Sequence, residues 1–442
     1  MENIKIIDYI GVGLGPFNIG LAALSEKTKL KSLFFDQKDT FDWHPGMLLN
    51  DAHLQVPFIA DFVSLADPTS PFSFLNYLKE NNRIYKFYIR ENFYILRKEY
   101  NKYCIWVLEQ LNNCKFNHRV EQIHKVDNYY KVLVKNKKTK NIETYYAKHI
   151  VLGVGTSPWI PDFAKKLNKD QCIHTGSYLF HKSEILKQKK ISIIGGGQSA
   201  AEIFMDLLTT QENYDFKLEW YTRSERFSPL EYSKLTLEMT SPEYVDYFYE
   251  LPQAKKNVLN QEHKFLYKGI NFDLINAIYD VLYEKSVEND LDNVIIKGCI
   301  ELKDVLSMDN GDIELSLKQT QTHESYTDET SFIVMATGYK STIPSFLKPI
   351  KELILWDTPE KYKARRNYSI DIDERIFVQN AEQNTHGFVT PDLGMSAYRN
   401  SIILNQILGK PFYKVDTRIA FQEFGTPKQH KKENFILNKV NV

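Results

Sequence analysis

Two glycine-rich turns, about 185 residues apart, constrain this chain more than any other feature. The first is Gly11-Val12-Gly13-Leu14-Gly15-Pro16, directly after the largely apolar run 6–10. The second is Gly195-Gly196-Gly197-Gln198-Ser199-Ala200, directly after Ile191-Ser192-Ile193-Ile194. Each reads as strand, sharp turn, helix. In such a turn glycine lets a pyrophosphate approach the backbone, and the following helix aims its free N–H groups at the phosphates. One such turn is a common strand–helix corner. Two predict an α/β fold with a pair of dinucleotide-binding units, and the economical pair of ligands is a flavin facing a nicotinamide.

The residues around each turn assign the ligands. After the first come a helix from about 17 to 25, a strand from 30 to 35, and Asp36 at its end. Asp36 lies 25 residues past Gly11, where an acid binds a ribose hydroxyl. The third glycine of G-x-G-x-x-G is displaced, with Pro16 in its place and Gly15 before it. The second turn fits G-x-G-x-x-A through Gly195, Gly197 and Ala200. A helix over 199–208 follows, then a strand over 217–222 ending in Arg223 and Ser224. Arginine there suits a ribose 2′-phosphate, so NADPH is expected over NADH. A surface charge is the plainer reading of Arg223 alone. Ala336-Thr337-Gly338-Tyr339 after an apolar strand, and Leu152-Gly153-Val154-Gly155-Thr156, read as crossings between the two units.

Composition narrows the class. A chain of 442 residues fits two or three domains. Its 56 basic and 56 acidic residues balance, which argues against nucleic-acid binding. The lysine-rich 135–140 reads as the solvated tip of a hairpin. Cys104, Cys114, Cys172 and Cys299 have no dithiol or zinc spacing, so no metal is expected and a reducing cytoplasm is. The N-terminus lacks the marks of a signal peptide, and no apolar run approaches the roughly 18 residues of a membrane span. The expected organisation is a flavin unit over 1–186, a nicotinamide unit inserted over 187–331 and carrying substrate-contacting helices, the flavin unit resuming over 332–425, and a frayed tail over 426–442.

At this point the chain resembles the flavin-dependent N-hydroxylating monooxygenases of siderophore synthesis, which act on ornithine, lysine or diamines. The carrying segments are Gly11–Asn18, Trp43-His44-Pro45-Gly46-Met47, Asp67-Pro68-Thr69-Ser70-Pro71, Gly195–Glu202, Ala336–Tyr339 and Thr385-His386-Gly387. They span nearly the whole chain. The resemblance implies a Rossmann-like FAD domain with an inserted Rossmann-like NADPH domain. It implies that NADPH reduces FAD, that dioxygen forms a flavin C4a-hydroperoxide, and that a substrate amine takes the distal oxygen. Trp43, His44 and Gln55 are then expected beside the isoalloxazine; core packing is the plainer reading of Trp43 and His44. Gln198, Ser199, Arg223 and Ser224 are expected on NADPH, and Thr337 and Gly338 beside the cofactors. No dedicated catalytic base is expected. An alkylamine has a pKa of roughly 10.4, so the site must favour its neutral form by desolvation. A homo-oligomer, tetramer or dimer, is also implied.

The departures from the family speak to the substrate. In the amino-acid hydroxylases a lysine before the Asp-Leu-Val-Ser-like segment pairs with the substrate carboxylate; here Ala60 precedes Asp61-Phe62-Val63-Ser64. A carboxylate left unpaired there would be costly. A second family contact falls on Leu237, beside Glu238, and a serine near Leu393 is replaced by Gly394. These losses point to an aliphatic diamine, putrescine ahead of cadaverine, with Glu238 as candidate for the far ammonium. One methylene decides only about 1–3 kcal/mol between the two. Competing readings are an ornithine or lysine hydroxylase, a two-nucleotide reductase, and a non-enzymatic flavin sensor. Amine-stimulated oxygen uptake separates the first from the second, and NADPH bleaching of the flavin excludes the third.

Overall fold

The structure, a computed structural model, describes residues 6–288 and 290–426. Of the expected tail over 426–442, all but residue 426 lies outside the described residues.

Two sheets organise the chain. In the first, β1 (Ile6–Val12) lies parallel between β2 (Ser32–Phe35) and β3 (Ile142–Leu152). Ile7, Tyr9, Ile10 and Val12 of β1 are all buried, as suits a strand covered on both faces. β3 also pairs antiparallel with Tyr129–Asn136, which pairs with His118–Val126. The Lys137–Lys140 tip is exposed, and its turn is closed by Asn136, whose Oδ1 accepts the Lys138 and Thr139 N–H groups. The lysine run is a hairpin tip, as its pattern predicts.

The second sheet is five-stranded and parallel. Its order is Cys172–His174, β6 (Phe332–Met335), β4 (Lys190–Ile194), β5 (Lys217–Tyr221) and Val294–Lys297. Helix α2 (Gln198–Thr210) and the helix Phe272–Glu288 bury Phe204, Leu207, Leu208 and Ile278 against one face. A three-stranded antiparallel sheet, residues 300–330, covers the other through Ile300, Leu315 and Leu317.

The boundaries expected from sequence shift here. Phe332–Met335 was expected to resume the first unit, yet it is a central strand of the second sheet, between Cys172–His174 and β4. Cys172–His174 lies before the expected boundary at 187. The strand that completes the first sheet is β7 (Ile376–Val378), parallel to Ile150–Leu152 of β3. Both short strands are fully buried and apolar, so sequence alone does not say which sheet each joins. The chain crosses between sheets twice, and the crossings pair: Ser157 and Pro158 lie antiparallel to Lys340 and Tyr339.

Three further elements frame the space between the sheets. Helix α1 (Pro16–Ser25) follows β1 and packs on α4 (Ser396–Leu408). A helical arm over 234–266 leaves the second sheet. Within it α3 (Pro242–Glu250) starts with Ser241 accepting the Tyr244 N–H and proline at the first helical position. Tyr244, Val245 and Phe248 of α3 pack on Phe388, Val389 and Met395, so the arm leans back onto the first unit. No helix among the described residues is long and apolar enough to cross a membrane.

Candidate functional site

A cleft of about 1050 Å³ opens between the sheets. The first glycine turn forms one end. Gly13 has φ +91°, and a Cβ there would sit 2.4 Å from the Gly153 carbonyl oxygen, so no other residue fits without strain. Gly15 faces open space: a Cβ on it would meet nothing within 4 Å. Pro16 is the first residue of α1, a position where its missing N–H costs nothing, which accounts for the displaced third glycine. Asn18 ties the helix back to the turn by donating to Gly13 O at 2.7 Å. Asp36 closes this end: its Oδ2 accepts the Leu14 N–H and its Oδ1 the Lys38 N–H, both at 2.8 Å.

The middle of the cleft carries Trp43, His44, Gln55 and Tyr339. Trp43 packs edge-on against Tyr100 at 5.0 Å, and its backbone N–H donates to Asn101 Oδ1. His44 holds φ +50° and its ring lies 5.6 Å from that of Tyr339. Crowding by surrounding protein, with the Arg97 charge next, pushes the His44 imidazole pKa down to about 4. His44 is therefore neutral at physiological pH.

The second glycine turn lies outside the cleft wall. Gly195 has φ +138°, and a Cβ there would stand 2.2 Å from Ala336 O. Gly197 caps α2 in extended conformation, and Gln198 and Ser199 open its first turn. Gln198 reaches the cleft through Gln55, whose Nε2 lies 3.4 Å from Gln198 Oε1. Arg223 and Ser224 are exposed just past β5, and Ser224 N–H donates to Thr222 Oγ1. The segment 264–268 passes over the turn, with Lys268 O nearest to where a Gly197 Cβ would sit. Burial, then the charges of Lys268 and Arg223, push the Lys264 ammonium pKa down. Among the described residues none of Arg223, Lys264 and Lys268 forms an ion pair; the Lys268 ammonium lies over the Tyr267 ring. Thr337 Oγ1 donates to Trp159 O, and His174 Nε2 stands 2.9 Å from Gly338 O, so these two sites tie the crossings together.

Asp392 shares the cleft lining with apolar residues and with the polar Glu231, Tyr232 and Thr240. The apolar ones include Val56, Leu237, Leu266, Phe388 and Leu393. Asp392 Oδ1 accepts the Gly394 N–H at 2.7 Å. Desolvation pushes its carboxyl pKa up, and among the described residues no cation pairs with it. The nearby Arg399 is already paired with Glu382 at 2.9 Å.

The sequence-chosen substrate residues are only partly brought together. Ala60 and Gly394 adjoin: a Cβ on Gly394 would lie 3.9 Å from the Ala60 Cβ and 3.2 Å from Asp392 Oδ1. Leu237 and Leu393 line the cleft. Glu238 does not; its carboxylate accepts the Phe421 and Gln422 N–H groups at 2.9 and 3.0 Å. Asp392 was missed. Its signal is that it is the sole charged residue from Phe388 to Tyr398.

A family model described as L-lysine 6-monooxygenase/L-ornithine 5-monooxygenase matches residues 5–341. The chain is 46% identical over 424 residues to a putrescine N-hydroxylase of Shewanella oneidensis, covering 95% of this chain and 84% of that one. It is 42% identical to a putrescine N-hydroxylase of Acinetobacter baumannii, covering 96% and 95%. Among solved structures it is similar to the FAD-bound cadaverine monooxygenase of the desferrioxamine pathway of Erwinia amylovora. The TM-score is 0.94 at 48% identity, over 96% of this chain and 99% of that one.

Proposed function

The chain belongs to the L-lysine 6-monooxygenase/L-ornithine 5-monooxygenase family, and from that premise we propose that it N-hydroxylates one amine of a short aliphatic diamine. Putrescine ranks ahead of cadaverine, FAD and NADPH are the cofactors, O₂ is the oxidant, and the hydroxylamine serves hydroxamate siderophore synthesis. The carrying observation is the carboxylate of Asp392, which lines the cleft beside Leu393 and has no paired cation among the described residues. An ammonium on a methylene chain matches it. The carboxylate of ornithine or lysine would meet Asp392 with no cation at Ala60 to offset the repulsion. The name of the Shewanella oneidensis relative supports the same substrate class.

The two nucleotide sites fit their ligands. The open space before Gly15, the N-terminus of α1 and Asp36 suit the pyrophosphate and ribose of FAD. Arg223, Lys264 and Lys268, unpaired around the second turn, suit the phosphates of NADPH. Bound FAD supplies dioxygen activation once NADPH has reduced it. The protein's own part is positional. Asp392 anchors the far ammonium, the apolar walls desolvate the near amine and favour its neutral form, and His44, held neutral, adds no charge beside it.

A hydroxylamine assay across putrescine, cadaverine, ornithine and lysine tests this reading; higher coupled product from either amino acid would overturn it. Ala60→Lys brings an ammonium to the Gly394–Asp392 wall, where it competes with the substrate cation. Putrescine KM should rise about tenfold, and an unchanged KM places Ala60 away from the far end. Arg223→Ala should raise the KM for NADPH about 10- to 30-fold and leave that for NADH within twofold. A parallel loss for both dinucleotides would detach Arg223 from the 2′-phosphate. A cytoplasmic location and a homo-oligomer, tetramer or dimer, belong to the same proposal. Tyr85, Tyr88 and Ile89, exposed on the helix Ile84–Arg90, support the second.

A further inference from the structure

A chain of hydrogen bonds joins the two units at the cleft wall, which Arg97 and Gln55 both line. Arg97, at the start of the helix Arg97–Glu109, donates through Nη1 to the Met47 carbonyl at 3.0 Å. The same guanidinium forms a bidentate pair with Glu202 of α2, at 2.9 and 2.7 Å. Both side chains are nearly buried, at 12% and 5% exposure. Glu202 Oε1 also accepts Gln198 Nε2 at 2.9 Å. Gln198 Oε1 accepts the Asn271 N–H at 2.7 Å and faces Gln55 Nε2. Gln55 Nε2 donates in addition to Gly269 O at 3.2 Å.

The partners fix both amides. A carboxylate only accepts, so Gln198 must present its nitrogen to Glu202. The Asn271 N–H only donates, so Gln198 must present its oxygen there. Gly269 O only accepts, so Gln55 must turn its nitrogen to the wall. The oxygen of Gln55, a cleft-lining residue, is left without a donor among the described residues.

We propose that the Arg97–Glu202 ion pair is a positioning element for the nicotinamide dinucleotide. Through Gln198 it holds Gln55 with its carbonyl toward the cleft, as an acceptor for an N–H or O–H of that ligand. This rests on the functional reading above, in which the cleft meets both nucleotides. Breaking a buried pair by removing one partner destabilises a fold, whereas replacing both partners by apolar groups is often neutral. The double variant Arg97→Met/Glu202→Leu therefore separates holding the fold from holding the amide.

The test is the equilibrium Kd for NADP⁺ on FAD-loaded protein, measured by calorimetry beside the thermal midpoint. Glu202→Leu alone should lower the midpoint and raise the Kd about tenfold. The double variant should recover the midpoint and keep the raised Kd, because Gln198 then has only the Asn271 N–H to orient it. Gln55→Leu, with its own thermal midpoint read alongside, should raise the Kd by a similar factor. Adding it to the double variant should change the Kd by less than twofold. A double variant or a Gln55→Leu protein with wild-type Kd overturns the proposal while the functional reading stands. A wild-type protein that takes up FAD and binds no NADP⁺ overturns that reading and, with it, this one.

Discussion

Asp392→Asn is expected to raise the KM for putrescine about 100-fold, on the order of 2.7 kcal/mol, while flavin reduction by NADPH stays within a few-fold. Asparagine keeps the acceptor for the Gly394 N–H and removes only the charge. A second consequence separates recognition from packing. The folded carboxyl pKa is raised by desolvation, so its contribution to stability is fully present below the unfolded pKa and is lost as pH rises through the folded value. At pH 7 to 8 the ionised group costs stability, and Asparagine has no such cost. The variant should melt higher than the native protein at pH 7.5, and the gap should close near pH 4. A lower melting point at neutral pH would mean that the carboxylate is satisfied by protein rather than reserved for a cation. In the native enzyme KM for putrescine should fall as pH rises through the Asp392 pKa, a step absent from the variant.

The second large effect is a dissociation between the two glycine turns. Gly195→Ala places a methyl 2.2 Å from Ala336 O at φ +138°. The turn must shift, and NADPH-dependent bleaching of the flavin should slow by roughly 100-fold or more. FAD content should be preserved, because the first turn packs in a separate part of the molecule. Gly13→Ala, with its methyl 2.4 Å from Gly153 O at φ +91°, should do the reverse and lose FAD during gel filtration. Stopped-flow absorbance and the flavin-to-protein ratio read both. Equal loss of FAD in the two variants would show that the turns do not serve separate ligands.

Much of this architecture is legible in the sequence because it is local. A glycine turn, the helix behind it and the acid or arginine at the end of the next strand are all set within about 30 residues. Pro16 looks like a defect in the motif and is a helix start. What escapes is non-local. Phe332–Met335 and Ile376–Val378 are both short, apolar and fully buried, and only the three-dimensional pairing sends one to each sheet. The far ammonium site shows the same limit. Glu238 stands next to Leu237, yet its carboxylate is taken by two backbone N–H groups of residues 421 and 422. Asp392 sits beside two residues already singled out, Leu393 and Gly394, but an acid's lack of a partner is a property of the folded chain. The tie between Arg97 and Glu202 spans 105 positions and leaves no periodic trace.

The paired crossings have a mechanical meaning. Among the described residues two stretches of chain join the sheets, and near Pro158 and Tyr339 they run side by side as a hydrogen-bonded ribbon. Two antiparallel tethers bonded at one place leave the sheets little freedom to part there. Met47, Leu49 and Ala52, packed into the core of the second sheet, and the Arg97–Glu202 bridge fasten the two sheets together again. A molecule fastened this way holds its two glycine turns in a set relation to one another.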